Sequence, residues 1–313
     1  MKIGQSTDKT SPFGGFNFCH KLLADTGIPQ LVDGELGQRV KTFGFNYSDI
    51  FSNHLAVFLS GGDCTEDIQE HLHDHLLKVK GLSVCSADTI LRGIKELASP
   101  VEELTGPTGV KHFFNINKPL NKLMVKALIK TGQLKTGSGT GYTLDYDNQV
   151  VPTGKYDALR THKNCDGHQP GVASIGKLVV YLEGRNGNSQ AKYQQAETPG
   201  RAFGLLEGLH INTERFRADS ASYQQAVVEL AERKIRYFYI RAMRLLWSSR
   251  FRTAKRCLGK STVGRSGSGT DRKLCSLWRG ESIPVGSEPH QTQRRADRPV
   301  HGRCPHLPRH PHQ

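Results

Sequence analysis

The 313-residue sequence has no apolar run near the roughly 18 residues that a membrane-spanning helix requires. Residues 1–10 are polar and lack the apolar stretch of a secretory signal peptide. The seven cysteines are scattered without a CxxC pair, so neither a disulfide framework nor a zinc site is indicated. These absences predict a cytoplasmic protein with reduced thiols and no membrane partner.

Acidic residues are scarce relative to basic ones, which gives a formal net charge of +14. The last 67 residues, from Trp247, contain 14 Lys and Arg against four Asp and Glu, which leaves 29 against 25 for residues 1–246. The excess therefore belongs mainly to the tail. Charge alone is weak support for nucleic-acid binding by the main body.

Residues 1–110 show helical patterns, with Ser48 and Thr65 as candidate N-caps and Gly81 ending a helix that begins after Thr65. The next segment, "SADTILRGIKELA", predicts a helix capped by Ser86. Its apolar face is predicted to contain Ile90, Leu91, Ile94 and Leu97. The two helices form either a helix-turn-helix or an ordinary helical hairpin. In the first case Thr89, Arg92 and Lys95 lie on the exposed face and can reach DNA phosphates or bases.

Residues 111–140 predict one helix after Pro119, followed by a flexible linker, "KTGSGTG". This glycine-rich segment precedes a strand and lacks the lysine of a phosphate-binding loop. Residues 141–245 then show antiparallel strands followed by alternating strands and helices, ending in a buried strand, "IRYFYIRAM". That order predicts an α/β fold with an RNase H-like mixed sheet as its core.

Two aspartates, Asp145 and Asp147, lie on one face of the first predicted strand of this core, "GYTLDYDNQVV". About seventy residues later Asp219 ends another strand, in "FRADS". Carboxylates on neighbouring strands can clamp the two divalent ions, roughly 3.5–4 Å apart, that phosphodiester chemistry uses. The alternatives are an edge strand with solvated acids and an Asp219 that only caps the next helix.

These residues resemble the DDE transposases of bacterial insertion sequences, specifically the group-1 DDE domain. The resemblance covers residues 1–245 and runs through "LDYDNQVVP", "KYDALRTHK", "GHQPGVASIG", "VVYLEGRNGNSQA", "TPGRAF" and "FRADSASYQQAVVE". It implies a helical region that binds DNA ends, an RNase H-like catalytic core and metal-dependent transposition. The second family aspartate corresponds to Asp219, and the first to Asp147, with Asp145 as the alternative. Arg185, in "EGRNGN", is a candidate contact to the DNA backbone.

The resemblance also implies the cofactor and the partners. Mg²⁺, or Mn²⁺, is expected at Asp147 and Asp219, and double-stranded DNA of the element's terminal repeats is the expected partner. A homodimer in a DNA complex and a nucleoid-associated location in a bacterial cytoplasm are compatible with it.

The sequence departs from the family pattern after about Met243, where the late helix with the third acid is not found. Residues 246–313 are rich in Arg, Pro, His, Ser and Gly, show no helical or strand period, and are predicted to be disordered. A reading-frame shift is favoured over a natural basic tail. The two glutamates there, Glu281 and Glu288, lie among glycines and prolines. We therefore expect an inactive transposase. The alternatives are a non-catalytic DNA-binding competitor and a metal-dependent nuclease.

Overall fold

The structure is a computed structural model that describes residues 11–39, 44–106 and 108–241. These residues divide into two compact units. The helical unit extends to Val101 and includes Asn115–Gly137 and Leu209–Ile211, and the sheet unit comprises Glu102–Phe114, Ser138–Gly208 and the chain from Asn212. The predicted disordered tail, residues 246–313, lies outside the described residues, as do residues 1–10 and 242–245 of the predicted regions.

The described part of the helical unit consists of α-helices and one π-helical turn, at Ile68–Leu72. The α-helices are α1 (Phe16–Thr26), α2 (Ile28–Leu36), α3 (Tyr47–Leu59), α4 (His73–Leu76), α5 (Ala87–Glu96) and α6 (Lys118–Lys130). Their buried side chains form two apolar clusters, one around Ile50, Ile68 and Ile90 and one around Ile28 and Val32. The prediction that residues 1 to about 100 are mostly helical is confirmed for the described ones, residues 11–39 and 44–100.

Two predicted helices differ from the structure, one in where it begins and one in its length and type. α3 begins after Asn46, not Ser48, because Asn46 and Asp49 form a reciprocal capping box. The long helix predicted from Thr65 to Lys80 is replaced by the π-helical turn and the four-residue α4. The burial of Ile68, Leu72 and Leu76 accompanies this wider turn, so tertiary packing prevails over the helical pattern of the sequence.

α5 begins as predicted, since the Ser86 side chain accepts a hydrogen bond from the Thr89 amide. Its apolar face is only partly buried. Ile90 is inaccessible to solvent, but Leu91 and Ile94 are 40% and 42% exposed, which corrects the predicted face. The helix lies close to α3 at Gly93, where a Cβ atom would come 3.0 Å from Ile50 Cγ1.

The sheet unit contains a seven-stranded sheet with the order β1-β2-β8-β7-β3-β9-β10 and a small sheet with the order β4-β6-β5. The strands are β1 (Val101–Thr105), β2 (Lys111–Asn115), β3 (Gly137–Asn148), β4 (Val151–Pro152), β5 (Leu159–Arg160), β6 (Asp166–His168), β7 (Gly171–Ile175), β8 (Leu178–Arg185), β9 (Ile211–Ala218) and β10 (Tyr237–Ile240). The remaining helices are α7 (Glu197–Gly208) and α8 (Gln225–Lys234).

Five strands of the large sheet define an RNase H-like fold. β3 pairs antiparallel with β7 and β7 antiparallel with β8, while β9 and β10 are parallel. Across the sheet these five strands lie in the order β8-β7-β3-β9-β10. Numbered by their sequence in the chain, they are the third, second, first, fourth and fifth of the five. α7 packs on β7 and β8 and α8 on β10, and the rings of Phe203 on α7 and Phe216 on β9 meet edge to face at 5.4 Å. The predicted α/β class with an RNase H-like mixed sheet is confirmed.

Three features of the sheet differ from the predictions. The sequence pattern missed β1 and β2, which extend the sheet beyond β8. β3 begins at Gly137, so part of the predicted linker "KTGSGTG" belongs to a strand. β10 was predicted to be buried, but its residues are half-exposed, and among the described strands it lies at the edge of the sheet beside β9. Among the described residues, every helix is too short or too polar to cross a membrane.

Candidate functional site

A pocket of about 300 Å³ lies where β3 and β9 end. Four charged side chains line it: Asp145 and Asp147 from β3, Arg217 from β9, and Asp219 directly after β9. The other lining residues are Tyr146, Gln149, Val172, Ser174 and Ala218. The structure therefore brings together the three aspartates that the sequence singled out.

The neighbouring strands β3 and β9 place these groups in two rows. Asp145 contacts Arg217, and the residues two positions further along each strand, Asp147 and Asp219, are close enough to interact electrostatically. Side chains two positions apart point to the same face of a strand. Both contacts advance by two residues along each strand, so one row presents an ion pair and the next presents two carboxylates.

Asp147 forms no ion pair with any residue that the structure describes. Its Oδ1 accepts a hydrogen bond of 2.8 Å from the Asn148 amide. Partial burial raises the pKa of Asp147, the Asn148 hydrogen bond opposes that rise, and the negative charge of Asp219 adds to it. A carboxylate that is partly desolvated beside a second carboxylate gains by binding a cation.

Asp219 caps the helix that follows it, which was one of the two alternatives that the sequence left open. Its Oδ1 accepts a 3.0 Å hydrogen bond from the Ala221 amide and caps the short 3₁₀ helix Ser220–Ser222. Its Oδ2 has no hydrogen-bond partner within the described chain, and the residue lines the pocket. The cap therefore orients the Asp219 carboxylate through Oδ1 and does not use its second oxygen.

Asp145 is bound to Arg217, a residue that the sequence reading did not single out. Arg217 Nε lies 2.5 Å from Asp145 Oδ1, and Arg217 Nη2 lies 2.7 Å from Asp145 Oδ2. The two hydrogen bonds and the charge of Asp145 raise the pKa of Arg217. Because both carboxylate oxygens are engaged, Asp147 has the freer carboxylate of the two β3 aspartates. A sequence signal existed, since "RFRADS" puts Arg217 and Asp219 on one face.

The pocket fits a hard divalent cation by the chemistry of its donors. Asp147 and Asp219 offer carboxylate oxygens, the ligands that Mg²⁺ and Mn²⁺ prefer, and none of the described residues lining the pocket is a cysteine or a histidine. The described residues supply two uncommitted carboxylates there, and the third carboxylate belongs to the Asp145–Arg217 pair.

Arg185 does not lie on a DNA-accessible surface, and the predicted backbone contact is corrected. Its side chain is 1% exposed, with Nε 3.4 Å from Glu183 Oε1 and Nη1 donating to the Tyr193 carbonyl at 2.9 Å. Its Nη2 also donates to Thr198, and the guanidinium lies over the Phe114 ring. The strand period that places Glu183 and Arg185 on one face also buries both, because α7 covers that face.

The predicted DNA-contacting residues of α5 are distributed unequally. Arg92 and Lys95 are exposed, whereas Thr89 is half-buried and its hydroxyl lies 2.9 Å from the Ser86 hydroxyl in the helix cap. Ten residues, 77–86, separate α4 from α5, so the connection is longer than a tight helix-turn-helix turn. The exposed face of α5 combines the two cations with the partly exposed Leu91 and Ile94.

Comparison with protein-family models and with curated protein sequences gives no match. Among solved structures, the chain is similar to the Drosophila P element transposase strand transfer complex, with 14% identity, a TM-score of 0.30, and 71% of this chain and 42% of that chain covered. The chain is also similar to the Mos1 transposase paired-end complex with left transposon end, with 11% identity and a TM-score of 0.24. That match covers 75% of this chain and 68% of the Mos1 chain. A third similar structure is the simian T-cell lymphotropic virus intasome in complex with PP2A regulatory subunit B56 gamma, with 10% identity and a TM-score of 0.23. That match covers 66% of this chain and 57% of the intasome chain. The chain thus covers less than two thirds of the P element chain and of the intasome chain, 42% and 57%, and its fold follows from the order of its strands.

Proposed function

We propose that this chain is a DNA transposase of the type found in bacterial insertion sequences, which binds element ends and holds Mg²⁺ or Mn²⁺ with Asp147 and Asp219. The observation that carries the proposal is the convergence of these two aspartates at the ends of neighbouring strands of an RNase H-like sheet. A cytoplasmic, nucleoid-associated location in a bacterium, and a homodimer on DNA, are parts of the same proposal.

The residues of the pocket have separate tasks in this proposal. Mg²⁺, when bound, supplies positive charge that activates the attacking oxygen and stabilises the leaving oxygen in phosphoryl transfer. Asp147 and Asp219 hold the cation from two strands, so that the sheet fixes the spacing of their carboxylates. The cap at Ala221 orients Asp219, and the Arg217 pair keeps Asp145 away from the cation.

We further propose that this chain does not complete transposition. Two carboxylates anchor a cation at the described pocket, but a two-ion clamp needs a further fixed ligand, and Asp145 is committed to Arg217. A non-catalytic protein that binds DNA ends and competes with an intact transposase is the second candidate. The exposed cations of α5, Arg92 and Lys95, favour it because they lie outside the pocket.

The direct test uses the full chain, Mg²⁺ and a DNA fragment that contains the gene with its flanking DNA on both sides. We expect retarded migration of the fragment in a gel, without cleaved or joined product. Cleavage that Asp219→Asn abolishes would support the transposase and overturn the proposed inactivity. Absence of both DNA binding and a metal response would overturn the transposase itself.

We expect the double change Arg92→Ala and Lys95→Ala to weaken DNA binding and to flatten its salt dependence. Each phosphate contact contributes about 0.9 to the slope of log affinity against log salt, so the slope should fall by up to about 1.8. Fluorescence anisotropy across a salt series measures it. The matched control is Lys21→Ala with Lys118→Ala, two exposed lysines on α1 and α6. An unchanged slope in the α5 variant would show that α5 does not contact the DNA.

A further inference from the structure

Arg217 has a free outer edge in the candidate pocket. Its Nε and Nη2 donate to the two oxygens of Asp145, which uses two of the five N–H donors of the guanidinium. Nη1 and the second hydrogen of Nη2 meet no acceptor within the described chain. The side chain is 60% exposed, so these remaining donors are accessible to a ligand.

The position of Arg217 relates this edge to the carboxylates that would hold the cation. Arg217 lies two residues before Asp219 on the same face of β9, and both side chains line the same pocket as Asp147. The planar guanidinium fork matches the spacing of two phosphate oxygens, and it stays charged at any physiological pH. The Asp145 pair restricts its orientation, so little rotamer freedom is lost when the outer edge binds.

The negative charge of the pocket favours a cationic group that can contact the DNA backbone. Three carboxylates line the pocket, and a DNA backbone that approaches them meets electrostatic repulsion. Arg217 offsets Asp145, and its remaining N–H donors belong to a side chain that is 60% exposed. Among the described residues lining the pocket, it is the cationic side chain.

We propose that Arg217 binds a backbone phosphate of the DNA at this pocket, and that Asp145 is a positioning residue that orients Arg217. The inference rests on the proposed function, because it assumes that the pocket receives DNA. It adds a phosphate subsite beside the metal-binding aspartates and assigns to Asp145 a role other than metal binding.

The test compares the salt dependence of DNA binding by variants of the full chain in Mg²⁺, with the same gene-containing fragment. Arg217→Gln should lower the log–log slope by about 0.9, the loss of one phosphate contact. Asp145→Asn should keep the slope, because Arg217 keeps its charge, but it also removes a carboxylate that repels DNA. The lost orientation is therefore measured by adding Arg217→Lys to Asp145→Asn, which should cost less affinity than Arg217→Lys costs in the native chain. Arg217→Lys should likewise keep the slope and lose affinity, since the ammonium lacks the fork.

Arg236→Gln is the matched control, because Arg236 is 59% exposed, pairs with Glu214 at 3.5 Å and does not line the pocket. Its slope should equal that of the native chain. If the native chain binds DNA but Arg217→Gln has the native slope, the phosphate subsite is overturned and the proposed function stands. If the native chain binds no DNA, the phosphate subsite is overturned, and the proposed function is overturned with it if the metal response is also absent.

Discussion

Replacing Asp219 with asparagine is expected to abolish the rise in melting temperature that Mn²⁺ gives the native chain. A ligand at about a hundred times its dissociation constant stabilises the folded state by about 2.7 kcal/mol, which corresponds to roughly 5–10 °C for a unit of this size. The amide of asparagine carries no charge and is a poor substitute for a carboxylate ligand. Differential scanning calorimetry with and without Mn²⁺ measures the effect.

The same variant should behave in the opposite way without metal. Asp147 and Asp219 repel each other across the pocket, and removing one charge relieves that repulsion. The cap at Ala221 survives, since asparagine is as good an N-cap as aspartate. In metal-free buffer the Asp219→Asn chain should therefore melt at or above the temperature of the native chain, so that the order of the two reverses when Mn²⁺ is added.

Two further variants identify the aspartate of β3 that takes part. Asp147→Asn should lose the Mn²⁺ response as Asp219→Asn does, whereas Asp145→Asn should keep it, because Asp145 is bound to Arg217. The reverse pattern would assign the ligand to Asp145. An equal response in the native chain and in all three variants would mean that the pocket holds no divalent cation.

The aspartates could be found from sequence because each depends on local information. The two-residue period of a strand puts Asp145 and Asp147 on one face, and "FRADS" ends a strand at Asp219. The ion pair between Asp145 and Arg217 could not be found in this way. It depends on the register between β3 and β9, whose residues are 72 positions apart at this contact and which no local pattern determines.

Local patterns also failed where burial conflicted with composition. β1 reads "VEELT", in which two adjacent glutamates break the alternation of a half-buried strand, and its residues are in fact largely exposed at the edge of the sheet. Leu91 and Ile94 satisfy the helical period of an apolar face but remain exposed. Arginine is usually a surface residue, so the sequence predicts an exposed Arg185. The side chain is buried because α7 covers β8.

Glu183 is the centre of the buried charge network that this covering helix creates. Its side chain is inaccessible to solvent and lies between two guanidinium groups, 3.4 Å from Arg185 Nε and 2.8 Å from Arg201 Nη2. The Thr198 hydroxyl donates to its Oε1 at 2.7 Å. Burial, together with the negative charge of Glu183, raises the pKa of Tyr181 to about 12. The network joins β8 to α7, and α7 also carries Phe203, whose ring packs on β9.

We expect Glu183→Gln to destabilise the chain by about 3–5 kcal/mol, the cost of removing one partner from a buried ion pair. The change preserves the shape of the side chain, so no cavity forms, but it leaves Arg185 and Arg201 without their shared carboxylate. The midpoint of urea unfolding, followed by circular dichroism, measures the loss.

Glu207→Gln is the control. It removes a carboxylate from an exposed ion pair on α7, the helix that also carries Arg201. Glu207 is 68% exposed and pairs with Lys234 at 2.6 Å, and water and salt screen that pair, so its loss should cost less than about 1 kcal/mol. A loss at Glu183 no larger than the loss at Glu207 would mean that water reaches the network and that the two arginines are solvated in the folded chain. A large loss at Glu183 alone would establish that α7 is fixed to β8 by charge, on the same sheet that carries Asp147 and Asp219 at the ends of β3 and β9.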